Sequence, residues 1–166
     1  MNLINLRSND DVVIPIPIEH VNSSSFMNEM IMEDSNLTEI PLDVPGRQLL
    51  LLVKFMNDHA VDPMPKISNP IDSDVMSEMV GPKYAAYVDD MNSEQLFDIV
   101  LNANYLGIGP FIDLCCAKIA TNIKGKSVEQ ISEYIGLEKP PTDAEIDQTL
   151  KDNPWIRELV GQKQQC

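Results

Sequence analysis

Apolar positions along the chain follow two rhythms, a period of two near the start and a period of 3.6 over most of the rest. In "VVIPIPIE", Ile14, Ile16 and Ile18 alternate with Pro15 and Pro17. One face is therefore apolar, and both missing N–H groups lie on one side of the strand. A central strand needs its donors on both sides, so this one is an edge. Residues 3–18 read as two strands around a turn at Ser8–Asp11. Ser25, a capping residue, opens a short helix carrying Phe26, Met27, Met30 and Ile31. "LTEIPLD" predicts a third short strand, and Pro45–Ala60 a helix with proline in its first turn. Residues 61–83 place prolines at 63, 65, 70 and 82 among Asp, Ser and Asn. They read as a mobile loop.

From Asn92 onward the pattern is helical. Asn92 caps the first of these helices with Gln95 three residues on, Gly107 sits where a left-handed residue ends it, and Pro110 starts the next. That second helix runs to about Ile123. Ser127 with Gln130, and Thr142 with Glu145, form two more capping boxes, opening two short helices separated by "EKPP". Projected at 100° per residue, Leu96–Leu106 is apolar over about 260°. Asp98 and Asn102 fill the remaining sector. Asn104 does not, since it falls between Val100 and Phe97 inside the apolar arc, an odd place for an amide beside Tyr105.

Composition and charge narrow the function. The chain has 166 residues and is 43% hydrophobic, which suits one domain with an appendage and a real core. The longest apolar run, Leu49–Val53, is far too short to span a bilayer. The N-terminus lacks the basic and apolar regions of a secretory signal, and the three cysteines, two of them adjacent at 115 and 116, do not make a disulfide framework. A reducing cytoplasm or nucleus is the expected setting. A formal charge of −14 repels phosphate backbones and anionic lipid heads, so neither nucleic acid nor membrane is an expected partner.

Catalytic signals are weak. "KGKS" at 124–127 has Ala120 where a phosphate-binding loop needs its earlier glycine, and a helix leads into it. "GIG" at 107–109 lacks the third glycine of a dinucleotide fingerprint. His20 and His59 have no ligand-like spacing to each other or to a cysteine, so neither a metal nor any other cofactor is expected. A Cys-His pair stays open on sequence, although adjacent mid-helix cysteines more often pack as small buried hydrophobes. The expected protein is not an enzyme.

The last two helices pose the functional question. Val128, Ile131, Tyr134 and Ile135 form one stripe, and Ala144, Ile146 and Leu150, followed by Trp155, form the other. Such narrow stripes on short helices need something to lean on. They either pack on the two preceding helices or accept another chain's helices, with Trp155 as a buried anchor.

Three motifs bring a family into view. Leu96-Phe97, Ala103-Asn104-Tyr105-Leu106 and Ile123-Lys124-Gly125-Lys126, with the closing Asn153-Pro154-Trp155, resemble the S-phase kinase-associated adaptor family, the linker subunit of SCF ubiquitin ligases. The resemblance covers roughly residues 3–155 and is most specific over 92–126. It implies an α+β chain with a BTB/POZ-like core, a small three-stranded sheet flanked by helices, and a C-terminal helical extension. The implied division is 1–60 for the N-terminal part of that core, 61–83 for the loop, 84–124 for the central helices, 125–155 for F-box-binding helices and 156–166 for a tail. The implied partners are a cullin scaffold, met by Asn104 and Tyr105, and F-box substrate receptors. The receptor contacts it implies are Phe97, Ile108, Phe111, Leu114, Cys116, Ile119, Ile123, Ile131, Ile135, Leu137, Ile146, Leu150 and Trp155. It allows a weak homodimer when no F-box protein is bound, and it implies work in cytoplasm and nucleus.

Several positions depart from the family pattern. Tyr84 stands at the usual tryptophan before the central helices, Gly109-Pro110 replaces a tolerated lysine-glycine, and Ile146 and Leu150 replace commonly charged residues. An elongin-C-like subunit shares the core but ends near the central helices, so the capped helices after 126 argue against it. The residues are also compatible with a self-associating BTB module and, with little to support it, an unrelated enzyme.

Overall fold

The computed structural model describes residues 2–137 and 142–154. Trp155 and the tail therefore lie outside the described residues, as does the "EKPP" link. The chain is mixed α+β. It begins with β1 (Leu3–Arg7) and β2 (Val13–Pro17), followed by a 3-10 turn (Ile18–Ser23) and α1 (Ser25–Glu33). Next come β3 (Glu39–Pro41), α2 (Gly46–Val61), α3 (Met76–Ala85), α4 (Ser93–Tyr105) and α5 (Gly109–Ile123). Two short helices follow, α6 (Val128–Tyr134) and α7 (Asp143–Asp152). One compact unit ends at Lys124 and a second begins at Gly125.

The three strands lie in the order β2-β1-β3, with β1 antiparallel to β2 and parallel to β3. Pro15 and Pro17 thus occupy an edge strand, as their spacing requires. Ile4 faces Ile16 and Leu6 faces both Ile14 and Ile40, all buried. On the outer face Arg7 grips Glu39 with two bonds, of 2.8 and 3.1 Å.

The β1–β2 turn also reaches the next layer. Pro45 precedes α2 and offers its first turn no side-chain cap. Asp10 supplies one from the turn instead, accepting the Gly46 N–H at 2.8 Å while Ser8 donates to the same oxygen. Those two bonds, Ser8 first, hold the Asp10 carboxyl below its ordinary range. A side chain on Gly46 would meet Val12 and Asp10 at under 3 Å.

The core of the first unit is centred on Phe55. Phe111 meets its ring edge-on at 4.9 Å, Tyr87 at 5.5 Å and Tyr84 at 5.6 Å. The tyrosine hydroxyls find partners at the rim. Tyr87 donates to Asp58 at 2.5 Å and Tyr84 to the carbonyl of Asp62, which is how a tyrosine is tolerated where its body is buried.

The structure differs from the sequence expectations in three local respects. Residues 76–83 are helical rather than loop, because Met76 and Val80 are buried core residues. Pro82 does not break α3, since Gly81 (φ 79°) has already kinked it and proline is tolerated at the start of a helical segment. The cap of α1 is Ser24 rather than Ser25, its hydroxyl accepting the Met27 N–H. Of the adjacent cysteines, Cys115 is buried but Cys116 is exposed.

Candidate functional site

The described residues show neither a metal-binding cluster nor an activated cysteine. Among them, no three His, Cys, Asp or Glu side chains gather as a metal site, and no helix is long and apolar enough to cross a membrane. His20 and His59 both line a cleft of about 720 Å³ with Glu19, Asn22, Asn28 and Pro110. Each is already engaged, His20 with Asn57 at 2.7 Å and His59 as acceptor of the Met64 N–H at 3.0 Å. Burial first, and Lys83 second, hold His59 below the ordinary histidine range. Desolvation pushes the Cys115 thiol up to about 12 and also raises Cys116. Neither sulfur is a ready thiolate nucleophile.

The geometry instead builds surfaces, and the firmest is the corner after α4. Leu106 ends the helix, and Gly107 (φ 65°) turns the chain. The Gly107 N–H donates to the Asn104 carbonyl at 3.0 Å and the Ile108 N–H to that of Ala103 at 2.9 Å. This pair of bonds is a Schellman motif, closed by contact between apolar Ala103 and Ile108. The corner is fastened to α1. The buried Ser24 hydroxyl donates to the Leu106 carbonyl at 2.5 Å while accepting from Met27 at the start of α1. The Ser25 N–H adds a bond of 3.2 Å to the Gly107 carbonyl.

Asn104 and Tyr105 stand on this corner. Asn104 is exposed although it lies inside the apolar arc. The apolar arc of α4 is wider than the core beneath it, which takes Leu96, Ile99, Ala103 and Leu106. Leu101 stays 68% exposed and Tyr105 42%. Tyr105 is steadied by Phe26 of α1, whose ring centroid lies 5.1 Å away. No pattern in α4 alone points to Phe26, because it is brought there by the α1–corner bonds.

The α5 residues divide by face. Ile108, Phe111 and Leu114 are fully buried and pack inward, so three expected receptor contacts are core residues of the closed first unit. The outer stripe consists of half-buried Ile119 and Ile123 with exposed Cys116, joined by half-buried Ile112, which the expected set omitted. At 100° per residue these four fall within about 60° of one another. Phe97 of α4 is half-buried.

In the second unit the apolar stripes are open. Ile135 is 42% exposed and Leu137 and Ile146 are also exposed, while Ile131 and Leu150 are half-buried. α7 buries none of its residues. Both helices nevertheless start with reciprocal capping boxes, Ser127 with Gln130 and Thr142 with Glu145. A second apolar surface of the first unit, a groove of about 510 Å³, has Leu50, Leu51, Tyr87, Met91 and Ile99 in its lining, with Arg47 and Lys54 on α2 and Asp90 and Asp98 opposite.

Relatives locate this architecture. A family model described as the Skp1 family, dimerisation domain, matches residues 110–156. The S-phase kinase-associated protein 1 homolog of Tetrahymena thermophila is 33% identical over 159 residues, covering 95% of this chain and 96% of that relative. The chain belongs to the Skp1 family. Another member, the SCF ubiquitin ligase complex protein SKP1b of Dictyostelium discoideum, is 29% identical over 97% of this chain and 99% of its own. The E3 ubiquitin ligase complex SCF subunit sconC of Arthroderma benhamiae is 29% identical over 95% and 96%. The likeness to these Skp1-family members spans both units, from the sheet through the capped helices at the end.

Proposed function

We propose that this chain is the non-catalytic adaptor subunit of an SCF-type cullin-RING ubiquitin ligase, joining a cullin scaffold to F-box substrate receptors in cytoplasm and nucleus. The observation that carries the reading is the rigid corner that displays Asn104 and Tyr105 in a chain whose near full-length relatives include named SCF subunits. A preorganised aromatic and an amide with free hydrogen-bonding capacity suit the centre of a protein interface. On this reading the first unit is a BTB/POZ-like core that meets the cullin at that corner. The F-box is held by Phe97 and the outer stripe of α5, by Ile131, Ile135 and Leu137, and by Ile146, Leu150 and Trp155. The same open stripes give a weak homodimer when no receptor is bound. An elongin-C-like role would leave α6 and α7 without a purpose.

The test uses two variants of the full chain against a purified cullin and a purified F-box protein. Asn104→Lys/Tyr105→Lys should weaken cullin binding by about 2–5 kcal/mol, as expected for charges forced into a packed interface, and should leave the F-box complex intact. Ile135→Asp should do the reverse, lowering F-box affinity by about two decades. Because Ile135 is already exposed, that variant should melt like the parent. Folded variants that bind both partners as the parent does would refute these two surface assignments, and a parent chain that binds neither partner would refute the adaptor reading.

A further inference from the structure

We propose that the outer face of α1 forms the second half of the cullin-facing surface, with Phe26 as a positioning residue for Tyr105 and with Glu29 and Glu33 recruiting a basic, apolar-anchored helix of the cullin. The inference rests on the adaptor reading and adds to it a surface, a positioning residue and the chemistry of the partner segment.

The geometry begins with the fastening of α1 to the corner. Two hydrogen bonds join them, the Ser24 hydroxyl on the Leu106 carbonyl and the Ser25 N–H on the Gly107 carbonyl, the second forming part of a backbone bridge between Ser24 and Ile108. The first turn of α1 and the last turn of α4 therefore move as one body. Phe26 lies in that first turn and packs on Tyr105 with a 38° tilt between the rings. Tyr105 ends a helix and remains 42% exposed, so without Phe26 its ring would sample several rotamers. Holding it in one removes an entropy cost from binding.

Charge then says what the surface accepts. Glu29 and Glu33 follow Phe26 at i+3 and i+7, the spacing that places residues on one helix face. Both are exposed. α1 carries no lysine or arginine, and Leu101, one turn before Tyr105, adds exposed apolar area. The Tyr105 ring, held by Phe26 and flanked by carboxylates, favours a partner helix with an aliphatic anchor and adjacent Lys or Arg, which gains from both cation–π contact and ion pairing. The net charge of −14 steers such a partner toward the chain.

The test measures association and dissociation rates of the full chain with a purified cullin, at low and at moderate salt. Phe26→Ala should weaken binding at least tenfold, mainly through faster dissociation, and Phe26→Tyr should restore it to within about threefold. In a double-mutant cycle, Phe26→Ala should cost nothing further once Tyr105 is alanine. Glu29→Lys/Glu33→Lys should slow association at low salt and lose that effect at moderate salt. This charge pair is fully on the surface, so it tests the proposal even if Phe26→Ala loosens the fold. If the Tyr105 variant loses binding while the Phe26 and Glu29/Glu33 variants bind like the parent, the α1 surface is wrong and the adaptor reading stands. Failure of Phe26→Tyr to rescue, or additive losses in the cycle, overturns the positioning role. A parent chain with no affinity for cullin overturns both readings.

Discussion

Alanine at Gly107 should destabilise the chain by about 3 kcal/mol, more than any other single-methyl addition at a turn. Two effects act together. Gly107 has φ 65°, where an L-residue pays about 1–2 kcal/mol because its Cβ crowds the following carbonyl. A Cβ built there would also lie 2.0 Å from the Ser25 hydroxyl oxygen, 3.2 Å from Ser25 Cβ and 3.3 Å from Ser25 N. The hydroxyl can rotate away at a cost of about 0.5–1.5 kcal/mol. The backbone nitrogen cannot, so the Ser25 N–H bond to the Gly107 carbonyl must stretch, losing on the order of 1 kcal/mol. Urea unfolding of the full chain reads the sum, and a double-mutant cycle separates its parts. Ser25→Ala removes the hydroxyl and leaves the backbone as it is. In that background Gly107→Ala should cost about 1 kcal/mol less than it does alone. A Gly107→Ala variant within about 0.5 kcal/mol of the parent would show that the corner is looser than drawn, and equal costs in both backgrounds would remove Ser25 from the account.

Phe111→Ala should cost about 3–5 kcal/mol, since it empties the centre of the aromatic core. The fraction that stays folded should bind an F-box protein normally, and a stable variant with lost receptor binding would return Phe111 to the interface. Lowering the pH through the ordinary histidine range should destabilise the parent, because the unfolded chain takes up a proton that folded His59 resists. The contribution is present in full above about pH 6.5 and is lost as the pH falls through the depressed folded value. His59→Gln should flatten that part of the profile in urea midpoints taken from neutral pH downward, and a variant with the parent's slope would acquit His59.

What was legible in the sequence was local chemistry. The three capping boxes, the proline-alternating edge strand and the left-handed glycine each depend on residues a few positions apart, and each stands where its side chains require. The errors came where distant residues decide. Prolines marked 61–83 as loop, although Met76, Met79 and Val80 carried a helical spacing that only core contact makes decisive. The arc of α4 enclosed Asn104 without fixing its burial, because an arc reports apolarity and not how much core lies opposite. α5 is apolar on two sides, so its pattern could not say that Phe111 faces Phe55 while Ile119 and Cys116 face outward. Phe26 was visible only as one apolar residue of a short helix, because its partner lies far along the chain.

The two kinds of surface solve the same problem in opposite ways. At the corner, affinity depends on rigidity. A Schellman turn, a glycine with no room for a side chain and a shared serine hydroxyl fix the backbone that carries two exposed side chains before any partner arrives. Little conformational entropy is then left to lose on binding. In α6 and α7 the stripes are thin, α6 burying only Ser132 and α7 nothing, so tertiary packing contributes little to making those segments helical. Reciprocal caps stand in for it at both starts. Capping contributes on the order of 1 kcal/mol per helix, enough to bias a short segment toward helix but not to lock it. A surface biased in this way can adjust its stripe to receptors of differing sequence, whereas the corner, with its geometry set in advance, suits a single constant partner. One fixed face and one adaptable face are what an adaptor between an invariant scaffold and interchangeable receptors needs.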